Sequence, residues 1–178
     1  MAATIAEEFD PAGLASAGPP YFVRKVSRRR HWRGEEGMST DERVKHAAAE
    51  VFPSDDGRVS VFRVENAEDM YRVAIGLNSG RGHLAEQLEI LAITPDDIES
   101  AGLVLEQTPG DTACLHANTH HHDIIHDAAA IEQLVRRLVE EGRQDRRYKR
   151  QMKLAVAAAL AIGCRAAESM LPRCQCES

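Results

Sequence analysis

Five histidines crowd the thirteen-residue stretch LHANTHHHDIIHD: His116, His120, His121, His122 and His126, set beside Asp123 and Asp127. Imidazole is the commonest metal ligand and titrates near neutrality, so such a stretch suits a divalent ion such as zinc, or a proton relay. With a helix beginning at Thr119, His122 and His126 stand at i and i+4 on one face, and two ring nitrogens at that spacing reach one ion. The candidate metal ligands are therefore His120, His122, His126 and Asp127. The same residues also fit a plain polar helix start, in which Thr119 caps the helix and Asp123 complements the positive end of its dipole. No H-E-x-x-H pattern is present, so the simplest metalloprotease chemistry is not indicated.

Two enzyme families share fragments of this stretch. T-H-H-H-D resembles the T-H-x-H-x-D-H segment of metallo-β-lactamase-fold hydrolases at Thr119, His120 and His122, but Ile124 and Ile125 stand where that pattern needs aspartate and histidine. The His126–Asp127 doublet is similar to that of HD-type phosphohydrolases. That resemblance implies an all-helical site completed by His83 and Asp145, whereas strands are expected between 88 and 116.

Two basic stretches supply the second chemistry. Residues 21–33 hold Arg24, Lys25, Arg28, Arg29, Arg30 and Arg33 with no acid, and residues 136–153 hold eight bases against three acids. Residues 34–135 carry twenty acids and six bases, within a chain of net charge −6. Arginines neutralise phosphates and Trp32 offers a ring for stacking, so Arg24, Lys25, Arg28, Arg29, Arg30, Trp32 and Arg33 are candidate contacts for an acidic partner or nucleic acid. Arg146, Arg147, Lys149 and Arg150 extend the set. The opposing expectation is that basic and acidic elements of one fold simply lie against each other. A third arrangement, a nucleotide-modifying cleft around Arg24, His31 and Glu106, has no spacing behind it.

The elements that must position these residues follow from local signals. YFVRKV after Pro19 and Pro20 reads as a strand near a sheet edge. Ser39 and Glu42 form a capping box ahead of Val44, Ala47, Ala48 and Val51, a helical stripe ended before Pro53. RVSVFRV from Arg58 reads as an interior strand. Asn66 then caps a helix with Met70, Val73, Ala74 and Leu77 inward. HLAEQLEILAI turns from helix to strand near Leu88. Thr94, Pro95 and Asp97 start a short helix that Gly102 closes, and Leu103–Gln107 is the next strand. TACLHA reads as a last extended piece. Ile124, Ala128, Ile131, Val135 and Leu138 keep a 3.6-residue period, so one long helix is expected from Thr119 to Gly142, and a second from about Asp145 to Met170.

Composition bounds the rest. An apolar fraction of 43% and a charged fraction of 28% over 178 residues suit one folded domain, not a disordered chain. The expected layout is an arm at 1–19, a single α+β domain at 20–172 with a small mixed sheet and two long C-terminal helices, and a tail at 173–178. LAVAAALAIGC is too short to span a membrane. With no export signal, Cys114, Cys164, Cys174 and Cys176 do not imply disulfides, and the expected location is cytoplasmic. The function expected from the sequence is a non-catalytic interaction or regulatory protein, oligomeric or bound to a protein partner or nucleic acid. The alternative is a metal-dependent phosphoester hydrolase using the histidines.

Overall fold

The structure, a computed structural model, describes residues 20–26, 32–53, 56–78, 89–112, 114–141 and 144–145. Its elements are β1 (Tyr21–Val26), α1 (Thr40–Val51), β2 (Arg58–Val64), α2 (Ala67–Asn78), β3 (Glu89–Ile93), α3 (Pro95–Ser100), β4 (Val104–Gln107), α4 (Leu115–Asn118), β5 (His121–Ile125), α5 (Ala128–Glu140) and the two-residue β6 (Gln144–Asp145). The strands form one sheet in the order β4-β5-β2-β1-β3-β6. Every neighbouring pair runs antiparallel, so the α+β class holds but the sheet is not mixed.

A strand's period of two divides its side chains between two faces. Phe22, Val26, Val59, Val61, Leu91, Ile93 and Ile124 share one face, and they form a single core with Trp32 and the inward sides of α1, α3 and α5. Val23, Phe62, Val64 and Ile90 share the opposite face, where Met70, Val73 and Leu77 of α2 cover them. Each fully buried aliphatic side chain contributes roughly 1.5–3 kcal/mol, so two covered faces hold the sheet far more firmly than its hydrogen bonds alone.

The local caps form as their sequences direct. Ser39 and Glu42 close a reciprocal box on α1, with Val44, Ala47, Ala48 and Val51 buried. Thr94 and Asp97 do the same for α3, with Pro95 in its first turn. Gly57 holds φ +73°, a value side-chained residues avoid, and its carbonyl accepts the His126 N–H at 3.0 Å. This turn pins the start of β2 against the end of β5.

Three elements depart from expectation. β1 lies in the interior, between β2 and β3, because its apolar residues are needed on both faces. The segment 115–125 reverses the expected order: Leu115–Asn118 is the helix and His121–Ile125 the strand. The long helix therefore starts nine residues late, at Ala128, with Asp127 as the cap whose carboxylate accepts the Ala130 N–H at 2.8 Å. Asp145 belongs to a strand beside β3. The arm expected at 1–19, the rest of the span expected to form a second C-terminal helix and the tail expected at 173–178 lie outside the described residues. Among the described residues, no helix is long and apolar enough to cross a membrane.

Candidate functional site

Because β5 is a strand, its consecutive histidines point to opposite faces. His122 shares the face covered by α1, α3 and α5 with Ile124, and its ladder neighbours are Val61 on β2 and Gln107 on β4. His121 and Asp123 take the other face, opposite Phe62 and Ser60 of β2. Each ring meets a phenylalanine edge-on: Phe22 lies 5.5 Å from His122, and Phe62 lies 5.2 Å from His121.

This alternation separates the four residues expected to ligate a metal. His120 sits in the turn before β5 with Nε2 3.8 Å from Asp69 Oδ1. The Nδ1 of His122 donates to the His120 carbonyl at 3.0 Å. The Nδ1 of His126 donates to the Asp127 carbonyl at 3.1 Å, and its Nε2 is shut off from solvent without a hydrogen-bond partner. Asp127 is engaged as a helix cap. Among the described residues, no group of three or more histidine, cysteine, aspartate or glutamate side chains is placed to hold a metal ion. The i, i+4 geometry for His122 and His126 does not arise, and the His126–Asp127 doublet lies off the helix that the phosphohydrolase template requires.

The first basic stretch is also redistributed. The Arg24 guanidinium donates to the carbonyl of Val51, the last residue of α1, and to that of Ser60 at 2.6 Å. Lys25, on the opposite face, donates to the Leu77 carbonyl in the last turn of α2 at 3.3 Å. Neither helix has a basic residue of its own in its last turn, so β1 supplies a cation to the negative end of one helix on each face. Trp32 is 0% exposed and has no face left for a base. Arg33 is half-buried. Arg28, Arg29, Arg30, Arg146, Arg147, Lys149 and Arg150 lie outside the described residues.

What the fold assembles instead is a cleft of about 670 Å³ beside His122. Four strands contribute one residue each: Phe22, Arg63, Leu105 and His122. Helix α3 supplies Pro95, Ile98 and Glu99, and Pro20, Gly102 and Leu103 complete the lining. The size lies within the range typical of sites for small molecules, and apolar walls with few polar groups are their usual character.

The chemistry of His122 is fixed by its surroundings. A carbonyl only accepts, so Nδ1 must carry the proton that it gives to His120. Burial holds the ring's pKa below the usual histidine value, opposed by that hydrogen bond and reinforced by the charge of Arg63 and by neighbouring His121 and His120. The neutral ring therefore carries a lone pair on Nε2, and the residue lines a largely apolar cleft.

The same shift makes acid destabilising. Below the unfolded value of about 6.5, the unfolded chain takes up a proton that buried His122 resists, so stability falls as pH drops from 6.5 toward the lowered folded value. Above about 6.5 the contribution is constant. Thermal melts between roughly pH 7.5 and 5.5 are expected to fall more steeply for the wild type than for His122→Gln, which cannot titrate. Parallel slopes would show that His122 is not the group responsible.

On the opposite face, Thr108, His121, Asp123 and Ser60 form a closed network. The Thr108 hydroxyl donates to Asp123 Oδ2 at 2.9 Å and lies 2.9 Å from His121 Nδ1, so the ring donates to Thr108 through that nitrogen. Ser60 donates to Asp123 Oδ1 at 3.2 Å, and Arg58 pairs with Glu106 at 3.1 Å and with Asp123 at 3.7 Å. These are the residue types of a hydrolase triad in the wrong order: the serine proton goes straight to the carboxylate, and the imidazole does not touch the serine. The network joins β2, β5 and the end of β4. Ser60 and Thr108 carried no local signal, since Ser60 meets Asp123 across 63 residues of sequence.

Comparison with protein families, with curated proteins and with solved structures returns no match to this chain.

Proposed function

We propose that this chain is a non-catalytic cytoplasmic regulatory protein that holds a small apolar ligand, carrying one hydrogen-bond donor, in the cleft beside His122. One observation carries the reading: a neutral imidazole with its acceptor nitrogen uncommitted, set among Phe22, Ile98, Leu103 and Leu105. A ligand that covers this acceptor and satisfies it is favoured over an isostere that covers it and does not, because an unmet buried polar atom costs about 1–3 kcal/mol. The His122 Nδ1 proton is tied to a carbonyl, which fixes the tautomer that leaves Nε2 as the acceptor.

The test uses p-cresol, an apolar ring with one hydroxyl, against toluene. At about 0.5 kcal/mol per non-hydrogen atom, p-cresol is expected to bind near 1 mM, shifting the His122 imidazole nitrogen signals. Toluene is expected to bind more weakly and leave Nε2 unperturbed. A His122 resonance indifferent to p-cresol would end the reading.

The charge segregation of the sequence supports an acidic macromolecular partner for the same protein, met through Arg28, Arg29, Arg30 and the 146–150 segment without Arg24 and Lys25. A mobility-shift titration at low salt that finds no complex removes nucleic acid as that partner.

A further inference from the structure

Resting on the ligand reading above, we infer that the cleft takes an aromatic amine: a ring with a hydroxyl or ring N–H at one end and an ammonium group at the other. The argument comes from the two charged residues that line the cleft. Arg63 already has an acidic partner in Glu65. Glu99, which also lines the cleft, is exposed, and its carboxylate has no ion pair among the described residues. One carboxylate without an ion pair therefore belongs to the lining of the cleft. The chain's net charge of −6, concentrated in the region that builds the cleft, draws cations toward it.

The two ends of such a ligand have separate partners. At the His122 end, a phenol donates its proton to Nε2, while the phenolic oxygen is free to accept from Arg63, whose charge is felt at the His122 ring. Along the middle, the ring lies against Phe22, Ile98 and Leu105, which offer only apolar surface. At the Glu99 end, the ammonium meets the carboxylate near solvent, where an ion pair changes affinity by severalfold and is weakened by salt. A carboxylate in place of the ammonium would meet Glu99 as a like charge.

The experiment compares tyramine with p-cresol and with 4-hydroxyphenylacetate by calorimetric titration of the full chain at pH 7.5. Tyramine is expected to bind about fivefold tighter than p-cresol, with the advantage shrinking in 0.5 M salt, and 4-hydroxyphenylacetate is expected to bind more weakly than either. In Glu99→Gln, an exposed replacement that leaves folding intact, the preference for tyramine over p-cresol is expected to disappear. If p-cresol and tyramine bind equally well to the wild type, the amine inference is overturned and the apolar-ligand reading stands. If neither binds at about 20 mM, well above the affinity expected for p-cresol, both are overturned.

Discussion

Replacing Arg24 with methionine is expected to lower the unfolding free energy by about 3 kcal/mol, although the residue bears on no ligand. Its guanidinium satisfies the Val51 and Ser60 carbonyls and lies over the Phe52 ring at 5.5 Å. The Val51 carbonyl is one of the helix-end acceptors that no intrahelical N–H can reach. The Ser60 carbonyl falls just past the end of the β1–β2 register, which closes at Val23↔Phe62. Burial lowers the Arg24 pKa to about 10, a measure of lost hydration, yet the group stays charged at neutral pH. Each charge-assisted hydrogen bond is worth about 1.5–3 kcal/mol. Methionine fills similar space but donates nothing, and relief from burying a charge returns part of the loss. The expected drop in melting temperature is roughly 6–12 °C. Lysine at this position reaches one carbonyl at a time and should fall between wild type and methionine. A methionine variant within about 0.5 kcal/mol of the wild type, the scatter of ordinary surface substitutions, would mean that these carbonyls find other partners.

Arg24 also marks what the sequence conceals. As part of a run of bases it suggested a cationic docking surface. Yet on a strand Arg24 and Lys25 must diverge, and each met the end of the helix packed on its own face. The α1 and α3 caps were legible because Ser39 and Glu42, or Thr94 and Asp97, meet across three residues and need no tertiary context. The segment after Thr119 misled for a definite reason. Ile124 is buried in the same core as Ile131, Val135 and Leu138, so a strand residue falls in phase with the helical stripe that follows it. The features that favoured a strand were the β-branched pair Ile124–Ile125 and a better cap at Asp127, directly before three alanines. The cleft could not be read at all, because Phe22, Arg63, Glu99 and His122 come from four separate segments.

One wall of that cleft is held by a single buried carboxylate, so Asp97→Ala is expected to cost about 3 kcal/mol and to loosen ligand binding at the same time. Asp97 is 0% exposed. Its Oδ2 accepts the Thr94 N–H at 2.8 Å, and its Oδ1 lies 2.9 Å from Arg137 Nε on α5. The first bond starts α3, and the second fastens it to the helix that closes the core. Alanine leaves the buried Thr94 N–H unmet, worth roughly 1–3 kcal/mol. It also strips Arg137 of its buried partner, a smaller loss because Arg137 is partly exposed and keeps Glu141 at 3.1 Å. Asp97→Asn retains an acceptor for Thr94 and removes the ion pair with Arg137, so about 1 kcal/mol is expected. Arg137→Met should cost somewhat more, since it takes the Arg137 guanidinium away from a buried carboxylate oxygen. In the double variant Asp97→Asn with Arg137→Met, the losses should be less than additive, because both substitutions remove the same contact. Urea denaturation of the four proteins reads these values, and full additivity would show that Asp97 and Arg137 do not act as a pair. Pro95, Ile98 and Glu99 all ride on α3, so the affinity for p-cresol should fall in Asp97→Ala under conditions where the protein is still fully folded. A cleft that kept its affinity in that variant would mean α3 is held by its apolar contacts alone.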